Sequence, residues 1–260
     1  LVPIWTVIIG VAVFLYVLLD GFDLGVGMLY GFAPEKHKSM VMNAIAPIWD
    51  GNETWLILGG VALLAVFPLA FAIIIPADYF PILIMLLALV FRGVAFEFRF
   101  KQPWVKRVWS WGFCIGSALA TFAQGCVLGT FIQGFKVDGR NFAGTSMDWF
   151  TPFSLLTGVS LMFGYALLGA GWLIIKSEYD LQAWARRMGK FALFGVLLCI
   201  LIVSTWTPWH NPLIAGRWFG WPNLLILVPV PILTALFAAL EWRALNGYGP
   251  DTLPFAGAMG

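Results

Sequence analysis

Apolar runs of about 20 residues recur along the whole chain, and that repetition constrains its fold more than any other feature. A helix rises ~1.5 Å per residue, so each run is long enough to cross a hydrocarbon slab of ~30 Å. Seven such segments are predicted, at residues 4–30, 53–73, 79–98, 108–132, 153–175, 190–207 and 221–240. None alternates with period 2, which a transmembrane β-barrel requires. Only 11% of residues are charged, against the ~25% of ordinary soluble domains, so a water-facing surface could not be built. The expected fold class is an all-α integral membrane protein. Connections of about 10 to 20 residues leave no room for a soluble domain, and Pro76 and Pro81 suit a tight hairpin between the second and third segments. No cleavable signal peptide is expected, because the first run continues into Asp20-Gly21-Phe22-Asp23.

Lys and Arg fall unevenly on the two sides of the predicted segments. Lys36, Lys38, Arg99, Lys101, Lys106, Arg107, Lys176, Arg186, Arg187, Lys190 and Arg243 lie on one side, and Lys136, Arg140 and Arg217 on the other. The positive-inside rule then places the N-terminus outside and the first group in the cytoplasm. Trp5, Trp49, Trp104, Trp109, Trp149 and Trp206 are among the tryptophans near segment ends, where an amphipathic ring anchors to the interface. Cys114, Cys126 and Cys199 stand singly in apolar runs and read as packing residues.

Ionisable residues inside apolar segments are costly and mark a partner, a cavity or a water path. Asp20 and Asp23 sit at i, i+3 on one face of the first segment, and Gly21 and Gly25 form a GxxxG pair that lets another helix approach. Asp50 and Glu53 open the second segment. They read either as an N-cap with its capping box or as members of a four-acid cluster suited to proton relay. Arg92 lies about two turns inside the third segment, where pairing with an acid of the first or second segment is expected. Glu97 and Arg99 fall at that segment's interfacial end and are candidates for structural ion pairing. His37 and His210 are both predicted in loops, so no transmembrane histidine can ligate a haem, and no metal site is expected. Nucleotide-binding glycine patterns, a Ser/His/Asp set and a basic nucleic-acid surface are likewise missing from the sequence.

Four motifs in order, Leu19-Asp20-Gly-Phe-Asp23-Leu-Gly25-Val-Gly27, Pro47-Ile-Trp49-Asp50-Gly-Asn52-Glu53-Thr-Trp55-Leu56, Phe67-Pro68 and Arg92-Gly-Val-Ala-Phe-Glu97-Phe-Arg99, closely resemble subunit II of the cytochrome bd-type quinol oxidases. Asn52-Glu53 and Arg92-Gly93 look most like the cyanide-insensitive branch. The resemblance implies a complex of the bacterial cytoplasmic membrane that oxidises quinol and reduces oxygen to water, with membrane lipids around it. Haem b and haem d would belong to the partner subunit I, and this subunit would bind none with its own ligands. Asp50 would lie on a proton route together with Asp20, Asp23 and Glu53, and Trp55 at an oxygen-access route. A small single-helix subunit and a structural quinone occur in some members. The family architecture is two four-helix bundles plus a peripheral helix. Residues 1–132 would form the first bundle and 133–260 an incomplete second, since the family has about nine spanning helices. A stand-alone secondary transporter using Asp20, Asp23 and Arg92 is the alternative reading, and it would show inverted repeats.

Overall fold

The computed structural model describes residues 2–101, 105–210 and 212–259. Trp104, one of the predicted interfacial anchors, lies outside the described residues. The chain is almost entirely helical: α1 (Val2–Tyr30), α2 (Lys38–Asn43), α3 (Trp49–Val66), α4 (Pro68–Ala77), α5 (Tyr79–Lys101), α6 (Lys106–Gln133), α7 (Pro152–Lys176), α8 (Tyr179–His210), α9 (Pro212–Phe219), α10 (Asn223–Leu227), α11 (Pro229–Leu245) and α12 (Leu253–Ala258). A two-stranded antiparallel ribbon, β1 (Val137–Asp138) with β2 (Asn141–Phe142), lies between α6 and α7. Six helical stretches among the described residues are long and apolar enough to cross a membrane. Large apolar side chains such as Val7, Phe14, Ile57, Val90, Leu201 and Ile226 face outward, as hydrocarbon rather than water requires.

Three sequence expectations need correction. The second predicted segment, 53–73, is not one helix. Phe67 leaves the helical region (φ −125°, ψ 58°) and Pro68 starts α4, because proline lacks the backbone donor and restricts the residue before it. The loop expected between residues 175 and 190 shrinks to Ser177 and Glu178, since α8 begins at Tyr179 and carries Arg186, Arg187 and Lys190 on helix. A hydropathy window excludes those charges, whereas the helix simply projects beyond the apolar layer. His210 ends α8 instead of standing in a loop.

Helix α1 is the hub. Its second half, Asp20 through Tyr30, is buried all round by α3, α6 and α7. Gly25 permits the closest approach: a Cβ there would stand 1.8 Å from the Tyr165 carbonyl oxygen of α7, and a Cβ on Gly169 of α7 would strike the Gly25 backbone. Helix α12 tucks against α7, where Gly171 lies against the Phe255 backbone. Backbone atoms cannot swing aside as a side chain can. Gly25→Ala is therefore expected to lower the thermal midpoint of the detergent-solubilised protein, by a destabilisation of roughly 1–3 kcal/mol or more. Gly10→Ala, with nothing within 4 Å, should leave it unchanged.

Asp78 occupies the single-residue turn between α4 and α5, fully buried, with neither carboxyl oxygen bonded among the described residues. Burial pushes its carboxyl up to about 6, and the neighbouring Thr130 hydroxyl offsets only part of that. The folded chain then binds more protons than the unfolded chain between ~3.9 and about 6, so this residue's contribution to stability is full at low pH and lost as pH rises. Asp78→Asn should flatten that decline and raise the midpoint at neutral pH, as thermal melts across the window would show. An unchanged profile contradicts it.

Candidate functional site

Three helices bring one guanidinium and three carboxyls together. On α1, Tyr16, Asp20 and Asp23 follow at i, i+4 and i+7 and so share a face. Helix α3 contributes Asn52 and Glu53 from its first two turns, and α5 contributes Arg92. Arg92 Nη1 donates to Asp20 Oδ1 at 3.2 Å and to Glu53 Oε1 at 2.5 Å. Arg92 and Asp20 have essentially no exposure, and the Glu53 side chain retains 22%. Asn52 Nδ2 donates to Asp23 Oδ2 at 2.7 Å and to the Leu19 carbonyl at 3.3 Å, which ties the start of α3 to α1.

The guanidinium is capped by an aromatic pair. Trp49 lies 5.7 Å from Arg92 Cζ and stacks on Phe96 with centroids 4.9 Å apart and planes 4° from parallel. Gly93 leaves space for that indole. Trp49, expected from the sequence to anchor a segment end, also packs over the charged centre. Several polar atoms in the centre have no protein partner among the described residues: Arg92 Nε and Nη2, Asp20 Oδ2 and Asp23 Oδ1.

The two readings of Asp50 and Glu53 separate here. Ile48 is the N-cap of α3 and no side chain caps the helix. Glu53 turns inward to Arg92, so the capping box is not formed. Asp50 is exposed in the first turn of α3, one turn from Glu53, and does not join the buried centre. The four expected acids divide into three around Arg92 and one at the surface beside them.

Arg99 is a second buried cation, 3% exposed, and not a solvated interfacial residue. Its Nε donates to Tyr30 Oη at 3.0 Å and Ser110 Oγ at 3.1 Å, and Lys38 and Arg99 both lie over the Tyr30 ring. Glu97 stands on the exposed face of α5. Trp55 is half-buried on α3. Gly21 and Gly25 both face Tyr165 of α7. Sequence reasoning passed over Tyr16, Gln124 and Tyr165. Tyr165 Oη donates to Gln124 Oε1 at 3.0 Å, Gln124 Nε2 donates to Tyr16 Oη at 2.6 Å, and Tyr16 precedes Asp20 by one turn on the same face of α1. The one available signal is an amide side chain in the middle of α6.

Removing a single member of a buried ion pair costs about 3–5 kcal/mol, whereas replacing the whole set by neutral groups costs far less. Arg92→Met should therefore sharply reduce the folded yield and thermal midpoint. Arg92→Met combined with Asp20→Asn and Glu53→Gln should recover most of the loss. A triple variant as unstable as the single would contradict the pairing.

The chain matches the family model described as cytochrome bd terminal oxidase subunit II over residues 1–260. It is 32% identical over 241 residues to the cytochrome bd ubiquinol oxidase subunit 2 of Bacillus subtilis, covering 90% of this chain and 71% of that protein. It is 33% identical over 213 residues to the cytochrome bd-I ubiquinol oxidase subunit 2 of Escherichia coli, covering 78% of this chain and 56% of that protein. The probable cytochrome oxidase subunit 2 of Haemophilus influenzae is 30% identical over 212 residues, again with 56% of its length covered. With the whole chain matched by one family model and the Arg92 centre built from the very motifs that carry the resemblance, this chain belongs to the cytochrome bd terminal oxidase subunit II family.

Proposed function

We propose that this chain is the haem-free second subunit of a bacterial respiratory quinol oxidase, and that its own part in the reaction is to admit and hold protons. The observation that carries the reading is the Arg92 centre. It gathers three carboxyls around one guanidinium inside apolar helices. With all four groups charged the centre is two negative charges in excess, and uncompensated charge at this depth costs several kcal/mol per ion. Electrical balance is reached when it holds two protons, so the centre stores protons by its composition.

Asp50, exposed one helical turn from Glu53, supplies the surface acceptor, and Glu53, Asp20 and Asp23 follow inward. Arg92 Nε and Nη2 with Asp20 Oδ2 and Asp23 Oδ1 supply bonding positions for water between them. The basic ends of α5, α6 and α8 face the cytoplasm in this reading, which puts the N-terminus outside and the proton mouth on the cytoplasmic side. The haem-bearing subunit I is the partner. Haem b and haem d supply the electron transfer and oxygen reduction there, with quinol and oxygen as the substrates of the complex. Trp55 borders the oxygen route. A structural quinone, a small single-helix subunit and membership of the cyanide-insensitive branch complete the proposal from the family resemblance.

Asp50→Asn should slow oxygen reduction several-fold in the purified complex, with haem content and assembly unchanged. Loss of assembly would make Asp50 a structural residue instead. Trp55→Ala should change the apparent oxygen affinity at unchanged quinol KM, and identical oxygen kinetics would remove Trp55 from the route.

A further inference from the structure

The proton-holding reading leaves two buried tyrosines and one half-buried glutamine without a task, and they lie end to end. Tyr16 of α1 and Tyr165 of α7 are 5% and 2% exposed, and Gln124 of α6 joins them through both ends of its amide. Hydroxyls nearby on the same face of α6 are already spent: Ser117 donates to the Phe113 carbonyl at 2.8 Å and Thr121 to the Ser117 carbonyl at 2.9 Å. Gln124 instead reaches across to α1. The ring of Tyr165 comes close enough because residue 21 is glycine, where a Cβ would stand 2.8 Å from Tyr165 Cε1. Each donation runs the same way, from Tyr165 to Gln124 to Tyr16, and Tyr16 keeps its own O–H one helical turn before Asp20 on the same face of α1.

We infer that Tyr16, Gln124 and Tyr165 are positioning residues that hold the Asp20 carboxyl and follow its protonation state through the hydrogen-bond direction of the chain they form. This rests on the proton-holding role proposed for the Arg92 centre. An ionised Asp20 accepts only, so the Tyr16 O–H points to it, the Tyr16 oxygen accepts from the Gln124 amide N–H, and the Gln124 carbonyl accepts from Tyr165. A protonated Asp20 is a donor, and the Tyr16 oxygen becomes its acceptor. Tyr16 then turns its own proton to Gln124, whose amide rotates to offer its carbonyl to Tyr16 and its N–H to the Tyr165 oxygen. No bond other than hydrogen bonds is made or broken. Among uncharged side chains an amide suits the middle place because it carries a donor pair and an acceptor on one plane. Arg92, which donates to Asp20 Oδ1 and to Glu53, is the charged partner of Asp20, whereas Tyr16, Gln124 and Tyr165 are neutral.

The test uses the purified complex and reads the carboxyl C=O vibration of Asp20 by infrared difference spectroscopy, assigned by its loss in Asp20→Asn. Tyr16→Phe and Gln124→Leu should each shift that band and slow turnover by about tenfold, the worth of roughly one hydrogen bond to a charged group. Haem content and assembly should stay unchanged, and Tyr165→Phe should move the band in the same direction by less. The double variant Tyr16→Phe with Gln124→Leu should be no slower than the worse single variant, since both cut one chain. Gln124→His, which keeps a donor and an acceptor, should restore the band towards its original position. An unmoved band in Tyr16→Phe and Gln124→Leu overturns the inference, as does a fully additive double variant. If Asp20→Asn leaves turnover untouched, the proton-holding role fails while the band shift still decides the positioning.

Discussion

A guanidinium carried into an apolar bundle dictates much of what surrounds it. Arg92 cannot stay charged there without acceptors, and α5 on which it sits has none to offer at the right height. Asp20 of α1 and Glu53 of α3 provide them, so three helices are fixed in rotation and depth by one side chain. The rest of the packing serves that contact. Asn52 ties α3 to α1, Trp49 and Phe96 cover the guanidinium, and Gly25 with Gly169 brings α7 close enough for Tyr165 to complete the far side of Asp20. Buried ion pairs add little to stability compared with apolar packing of the same volume. The proton-holding role proposed for the centre rests on its excess of carboxyls over cations.

The sequence showed the parts of this centre but not its boundaries. Asp20, Asp23 and Arg92 stood out because each breaks an apolar run, and their identity as a group follows from cost alone. Tyr16 and Tyr165 carry no such signal, Gln124 shows only as a polar residue in mid-helix, and Asn52 shows only within a motif. What each of them bonds depends on which helices become neighbours, which a single chain's periodicity does not encode. Asp50 and Glu53 show the same limit from the other side. Their spacing fits a capping box, but a cationic partner on α5 outweighs a local backbone bond. Glu53 therefore turns inward and leaves Ile48 as the cap.

The fold was more legible than the site because hydropathy is a sum over many residues. Six of seven predicted segments correspond to helical stretches long enough to span, the last of them made of α10 and α11 in succession. The exception, divided at Phe67–Pro68, traces to one proline whose effect a window average hides. The vanished loop before residue 190 has the opposite cause: charged residues lowered the hydropathy while the helix continued past the apolar layer through Arg186 and Arg187. The family relationship adds what neither hydropathy nor packing supplies, namely membership of the cytochrome bd terminal oxidase subunit II family. The chain spans 71% of the Bacillus subtilis relative and 56% of the Escherichia coli one.

The central claim is that the Arg92 centre takes up protons during oxygen reduction. Its most direct test is proton uptake by the reduced complex after exposure to oxygen, followed with a pH-sensitive dye in a single-turnover experiment on the Asp20→Asn variant. Delayed proton uptake with haem oxidation starting at its normal rate is the predicted result. Uptake as fast and as large as in the unaltered complex would contradict the account.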